Sequence, residues 1–122
     1  MEKYSDLLIG LTDGAIIGRN GVIWCSTPGF TFSIKESSKF PKVFTPKSEV
    51  LYYGLTFHGE SYAVSSISNG VAIVKNNTSG LVIGKCPNCY IVGFYDDYKR
   101  ADKCVKAVEK AREAYLQDYS EK

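Results

Sequence analysis

The sequence predicts an α+β fold: a central antiparallel sheet of six to seven strands, with N- and C-terminal helices packed together on one face. Three observations carry this. Between residues 51 and 95 short apolar runs follow one another with only turn residues between them. A parallel crossover would need a dozen or more residues, so consecutive runs must pair antiparallel. Asn20-Gly21 lies between two further apolar runs, the strongest short hairpin signal. Residues 101 to 119 carry their apolar side chains at helical spacing.

The first element expected is a short amphipathic helix over 2–10, with Tyr4, Leu7 and Leu8 on one side and Gly10 ending it. Ala15-Ile16-Ile17 and Val22-Ile23-Trp24-Cys25 then form the hairpin, on a primed turn in which both Asn20 and Gly21 adopt positive φ. Phe30 to Ile34 alternates like a strand or extended segment. Glu36 to Phe44 has room for one short helix, whose course Pro41 restricts.

From Leu51 the strand pattern runs LYYGLTFHGE, SYAVSSIS, GVAIVK, GLVIGK and YIVGFY. Turns fall at His58-Gly59-Glu60, Ser68-Asn69-Gly70, Asn77-Thr78-Ser79-Gly80 and Cys86-Pro87-Asn88-Cys89. Asp96 or Asp97 is placed to cap the last helix, which runs to about Tyr119. Ala101, Cys104, Val105, Val108, Ala111, Tyr115 and Tyr119 make its apolar stripe. Lys103, Lys106, Glu109, Lys110, Arg112 and Glu113 fill the other side.

The bulk numbers exclude several functions. With 122 residues, 44% of them apolar, residues 1–122 make one domain with a real core. A formal charge of +2 gives no reason to expect nucleic acid as a ligand. The absence of a long apolar run, and an opening that is already amphipathic, argue against a transmembrane segment or a secretory signal. A cytoplasmic chain with reduced thiols is expected.

Cys86-x-x-Cys89 falls between two strand runs rather than at a helix N-terminus, and no second pair completes a zinc site. It reads as a turn, with no metal and no redox centre of the thioredoxin kind. His58 is the sole histidine and stands in a Gly-flanked turn without a nucleophile pattern. No phosphate-cradling glycine loop occurs either. The expectation is therefore no enzyme and no cofactor.

Tyr4 to Ile9, the Gly21-Val22-Ile23-Trp24-Cys25 strand, and Gly54 to Tyr62 follow one another in an order that resembles profilin, the small actin-monomer-binding family. The resemblance extends over nearly the whole chain and is weakest between 27 and 50. It implies a groove between the terminal helices for poly-L-proline, formed here by Tyr4, Trp24, Tyr115 and Tyr119. Aromatic grooves recognise a preformed polyproline helix at little ordering cost, and indole or phenol donors meet its carbonyls.

The resemblance further implies an actin face at Val64, Ser66, Lys75, Gly80, Lys85, Lys106 and Lys110. It also implies phosphoinositide head-group contacts at Lys75, Lys85, Lys103 and Lys106. The implied partners are monomeric actin and proline-rich proteins such as nucleators or elongation factors. The implied setting is a cytoplasmic, cytoskeletal monomer that regulates actin polymerisation.

Three departures stand out. No Trp precedes Tyr4, Tyr115 and Tyr119 are closer together than the family's C-terminal aromatics, and Ser66 stands where the family commonly has Arg. From another class, a small helix–sheet–helix scaffold or dimerisation module of trafficking or motor complexes has the same element order.

Overall fold

A computed structural model describes Leu8 and residues 10–119, the side chains of 118 and 119 excepted. Apart from Leu8 and Gly10, the helix expected over 2–10 lies outside the described residues. Among the described residues seven strands form one sheet: β1 (Asp13–Gly18), β2 (Ile23–Ser26), β3 (Leu55–Phe57), β4 (Glu60–Ser68), β5 (Val71–Lys75), β6 (Gly80–Lys85) and β7 (Cys89–Tyr95). Their order is β2-β1-β7-β6-β5-β4-β3, with every neighbouring pair antiparallel. The long jump falls between β2 and β3, where residues 27–54 cross one face of the sheet.

Turn chemistry accounts for the hairpins. At Asn69-Gly70 both residues take positive φ (53° and 79°), as do His58 and Gly59 (51° and 79°), so these are the two-residue primed turns that match strand twist. The β1–β2 hairpin forms as expected but on a different turn. Gly21 alone is left-handed (φ 89°), and its N–H donates to the Gly18 carbonyl at 3.0 Å while Gly18 N–H donates to Val22. That is a three-residue loop ending in a glycine bulge, which needs only one positive φ.

Residues 27–54 depart from the periodic reading. Phe30 to Ser33 joins no strand. Helix α1 (Ile34–Ser37) and a 3-10 turn (Phe40–Phe44) replace the single helix expected over 36–44. Ser33 and Glu36 form a reciprocal capping box that starts α1. Leu51-Tyr52-Tyr53, expected in a strand, belong instead to helix α2 (Glu49–Tyr53), which Gly54 ends at φ 76°. An added Cβ there would meet the Tyr62 carbonyl, so only glycine lets β4 approach so closely.

Packing explains this segment where local pattern does not. Phe30, Phe32, Phe40, Phe57 and Phe94 pack edge-on, tilted or, for Phe30 on Phe94, stacked, at centroid separations of 5.2 to 6.1 Å over one sheet face. Ala15, Ile17, Val74, Leu81, Ile83 and Val92 project from the strands into that core.

The opposite face carries helix α3 (Ala101–Tyr119). Asp97 caps a 3-10 turn (Tyr98–Arg100), accepting from Lys99 N–H at 3.0 Å, and α3 follows directly. Cys104, Val108, Ala111 and Tyr115 enter the core formed by Ile16, Val82, Cys89, Ile91 and Tyr95. Glycines let the helix lie close: a Cβ on Gly84 would come 3.0 Å from Val108, and one on Gly93 2.9 Å from Cys104, Val108 and Leu11. Leu8 is buried in the same core, and a Cβ on Gly10 would be 3.5 Å from Ala107. The chain's beginning and its last helix are therefore neighbours at the point where the description starts.

Candidate functional site

Trp24, in the middle of β2, is half-buried at the margin of the α3-covered core. Its indole lies across the Gly18 backbone, where a Cβ would fall 2.8 Å from Nε1. Glycine at that position gives the ring a flat seat at the sheet edge, beside the last helix. Tyr4 lies outside the described residues. Tyr119 ends α3, and its side chain is likewise outside them.

Tyr115 is placed differently from the expectation of a surface ring. It is 4% exposed and its hydroxyl donates to the Cys89 sulfur. The reason is helical phase: Tyr115 continues the Cys104–Val108–Ala111 stripe and so points at the sheet. Leu116, one step round the helix and half-buried, lies at the margin instead. Leu116 was missed because it falls off the strict stripe; the signal available was its position beside Val105 and Arg112 on a flanking row.

The seven positions implied for an actin face do not share one surface. Ser66 is opposite Ile73, and Lys75 opposite Gly80, all on the α3 side of the sheet. Lys106 and Lys110 are exposed on α3. Gly80 is buried beneath the Tyr95 hydroxyl, which a Cβ would strike. Val64, however, is opposite Val74 and packs on the phenylalanine core, because a bulge at Ser65 puts two residues of β4 against one of β5. That extra residue sends 64 and 66 to opposite faces.

Lys85 shares the parity of Leu81 and Ile83, and its Nζ lies 5.9 Å over the Phe44 ring on that same far face. Of the lysines implied for head groups, Lys75, Lys103 and Lys106 therefore lie apart from Lys85. Lys103 lines a cleft that also holds Asp13, Asp96 and Arg100, a mixed-charge setting. Arg112, expected on the solvent side of α3, is half-buried; its Nε donates to the Lys85 carbonyl at 2.6 Å and its guanidinium covers Gly70.

His58 stacks on Phe57 at 4.0 Å and hydrogen-bonds the Thr31 carbonyl through Nε2, a structural role within its turn. Its own N–H donates to Glu36 at 2.6 Å. Burial pushes the Glu36 carboxyl up, but the N–H donors of Ser33 and His58 and the Ser33 hydroxyl together hold it below the usual carboxylate value. All four cysteines are free. Cys104 is pushed up to about 12, first by burial and then by the charge of Asp13.

A curled antiparallel sheet, closed on one face by aromatic loops and on the other by a long C-terminal helix with a Trp at its margin, defines a small sheet-and-helix recognition domain. The profilin family model matches residues 2–120, and the chain belongs to the profilin family.

It is 29% identical over 111 residues to Profilin-3 of Caenorhabditis elegans, covering 85% of this chain and 88% of that protein. To profilin of Drosophila melanogaster it is 29% identical over 100 residues, covering 82% and 79%. Among solved structures, Acanthamoeba castellanii profilin IA superposes at a TM-score of 0.82, with 18% identity and 94% and 97% coverage. LokiProfilin1, solved in complex with rabbit actin, gives 0.73 at 18% identity, covering 96% of each chain. Mouse profilin IIa, solved with a double repeat from the FH1 domain of mDia1, gives 0.59 at 15% identity, covering 93% and 96%.

Proposed function

We propose that this protein binds monomeric actin on one surface and proline-rich peptides on another, and so regulates actin polymerisation. The observation that carries this is Trp24, seated half-buried at the margin of the helix-covered face in a chain of the profilin family. Relatives of the same fold have been solved with rabbit actin and with an FH1 repeat, which supports both ligands.

In this reading Trp24 and Leu116 supply the apolar contact for proline rings, with Tyr4 and Tyr119 as further members. Tyr115 acts from below by fixing α3. The indole N–H meets a ligand carbonyl, which proline leaves without an amide partner. The actin surface is Ser66, Lys75, Lys106 and Lys110, around the buried Gly80, with lysines meeting acidic surface chiefly through steering and rim complementarity. Val64 and Lys85, on the far face, drop out of it.

Because the two sites do not overlap, a proline-rich factor can hold the protein while it carries an actin subunit. No step needs catalysis; any effect on actin arises by biasing actin's own conformations. Phosphoinositide binding, through Lys75, Lys103 and Lys106, and a cytoplasmic, monomeric state belong to the same proposal. Among the described residues, no helix is long and apolar enough to cross a membrane.

The test is Trp24 emission on addition of poly-L-proline, with a pyrene-actin assay run with and without a proline-rich peptide. Saturable emission change and a peptide-dependent change in polymerisation are expected. An inert spectrum, with no effect on actin, would favour a scaffold module instead.

A further inference from the structure

Cys86 and Cys89 flank the Pro87-Asn88 turn between β6 and β7, and Cys86 N–H donates to the Cys89 carbonyl at 2.9 Å. The Cα atoms that close a four-residue turn of this kind lie within about 7 Å of each other. A disulfide spans roughly 4.4–6.8 Å, so the backbone is already in range. Both side chains enter the α3-side core, at 5% and 0% exposure, and the two sulfurs are hydrogen-bonded to each other.

The pair is not sealed. Cys86 lines a surface cleft with Arg19 and Arg112 on its walls, and no carboxylate among the described residues lines it. Leu116 and Tyr90 complete its apolar side. A buried dithiol thus opens onto a cationic mouth.

We infer that Cys86 and Cys89 form a reversible thiol–disulfide site that reacts with anionic disulfides of the glutathione class, drawn into the Arg19–Arg112 cleft. Cys86 attacks first, since it alone faces the cleft. The sulfur–sulfur bond of glutathione disulfide breaks, a Cys86–glutathione bond forms, the Cys86 proton passes to the Cys89 thiolate, and one glutathione leaves as its thiolate. Cys89 then attacks the Cys86 sulfur, the mixed disulfide breaks, and the second glutathione leaves with the Cys89 proton. Two protein thiols are oxidised to one disulfide, and one glutathione disulfide is reduced to two glutathiones.

Access from the cleft sets this order, and the donors set where the Cys86 proton goes. Cys86 S–H is given to Cys89, which holds the Cys86 thiol well above its usual value, with burial acting in the same direction. Cys89 is held lower by that same S–H, against burial, with the Tyr115 hydroxyl adding to the effect. Cys89 is therefore the base that takes the Cys86 proton as Cys86 attacks. Oxidation also weakens the sulfur acceptor of Tyr115, which couples the site to the seating of α3.

The experiment is intact-mass analysis with peptide mapping after incubating the full chain with excess glutathione disulfide at mildly alkaline pH. The wild type should lose two hydrogens, mapped to Cys86–Cys89. Cys89→Ser should stop at a mixed glutathione disulfide on Cys86, whereas Cys86→Ser should leave Cys89 unmodified. Arg19→Glu should slow oxidation by glutathione disulfide roughly five-fold. The same variant should leave the rate with uncharged hydroxyethyl disulfide unchanged.

Circular dichroism of each variant separates chemistry from misfolding, and the wild-type map decides the disulfide even if a cysteine variant does not fold. A wild type that keeps both thiols while its urea-unfolded form oxidises overturns the inference. So does uptake of glutathione at Cys89 in Cys86→Ser. An Arg19→Glu rate equal to wild type with glutathione disulfide overturns the cleft as the recognition element.

Discussion

Gly93→Ala is the sharpest test of how α3 is held on the sheet. An added Cβ at Gly93 falls 2.9 Å from each of three side chains on two elements: Cys104 and Val108 of α3, and Leu11 ahead of β1. Carbon contacts are optimal at about 3.5–4.0 Å, so the helix must lift by several tenths of an ångström or the side chains must leave their rotamers. Overpacking of this kind costs about 1–3 kcal/mol. Alanine also stiffens the unfolded chain, which returns roughly 0.4–1 kcal/mol.

The net expectation for Gly93→Ala is a loss of about 0.5–2 kcal/mol in urea unfolding, or roughly 2–8 °C in Tm for a domain of this size. Val108→Ala removes one of the three clashing groups. In a double-mutant cycle it should recover part of the loss, with a coupling of at least about 0.5 kcal/mol. Gly93→Ala at wild-type stability, or strictly additive single effects, would refute the close seating of α3 on β7.

The remaining predictions concern the sites and one buffered carboxylate. Trp24→Ala should abolish poly-L-proline binding, read by peptide anisotropy, while the effect on pyrene-actin polymerisation without peptide stays unchanged. Lys106→Glu with Lys110→Glu should weaken actin binding about five-fold or more at low salt and leave proline binding intact. Glu36 has its folded pKa depressed below the ordinary value of 4.5, so its contribution is present above that pH and is lost as pH falls through the folded value. Glu36→Gln should lower stability at pH 7 by less than about 1 kcal/mol and flatten the acid limb below pH 4.5. An unchanged acid limb would show that the Ser33 and His58 donors do not act on it.

How far the sequence could be read depended on whether structure followed local pattern. Val71 to Tyr95 reads as strands because alternation and turn residues specify register there, and Asn69-Gly70 takes the two positive φ values its composition allows. Residues 27–54 do not read this way. Phe30, Phe32, Phe40 and Phe44 are placed by ring-on-ring packing with Phe57, Phe94 and Tyr90, contacts that leave no period in the chain.

The bulge at Ser65 was invisible for a related reason. A run of Ser-Ser gives no cue to which residue is extra, yet it decides that Val64 and Ser66 face apart. Tyr115 is the instructive conflict. Its helical phase placed it with Cys104 and Val108 in the apolar stripe, while the resemblance to profilin put it on the surface. The structure follows the stripe. Leu116 and Arg112, on the flanking row, carry what the resemblance had not marked.

The central claim is that one molecule holds a proline-rich segment and an actin monomer at the same time. Anisotropy of a dye-labelled decaproline tests it directly, first with this protein and then with monomeric actin added. The account predicts a rise on binding and a second rise as the larger ternary complex forms. A return to the free-peptide value when actin is added would mean that the two ligands compete for one surface.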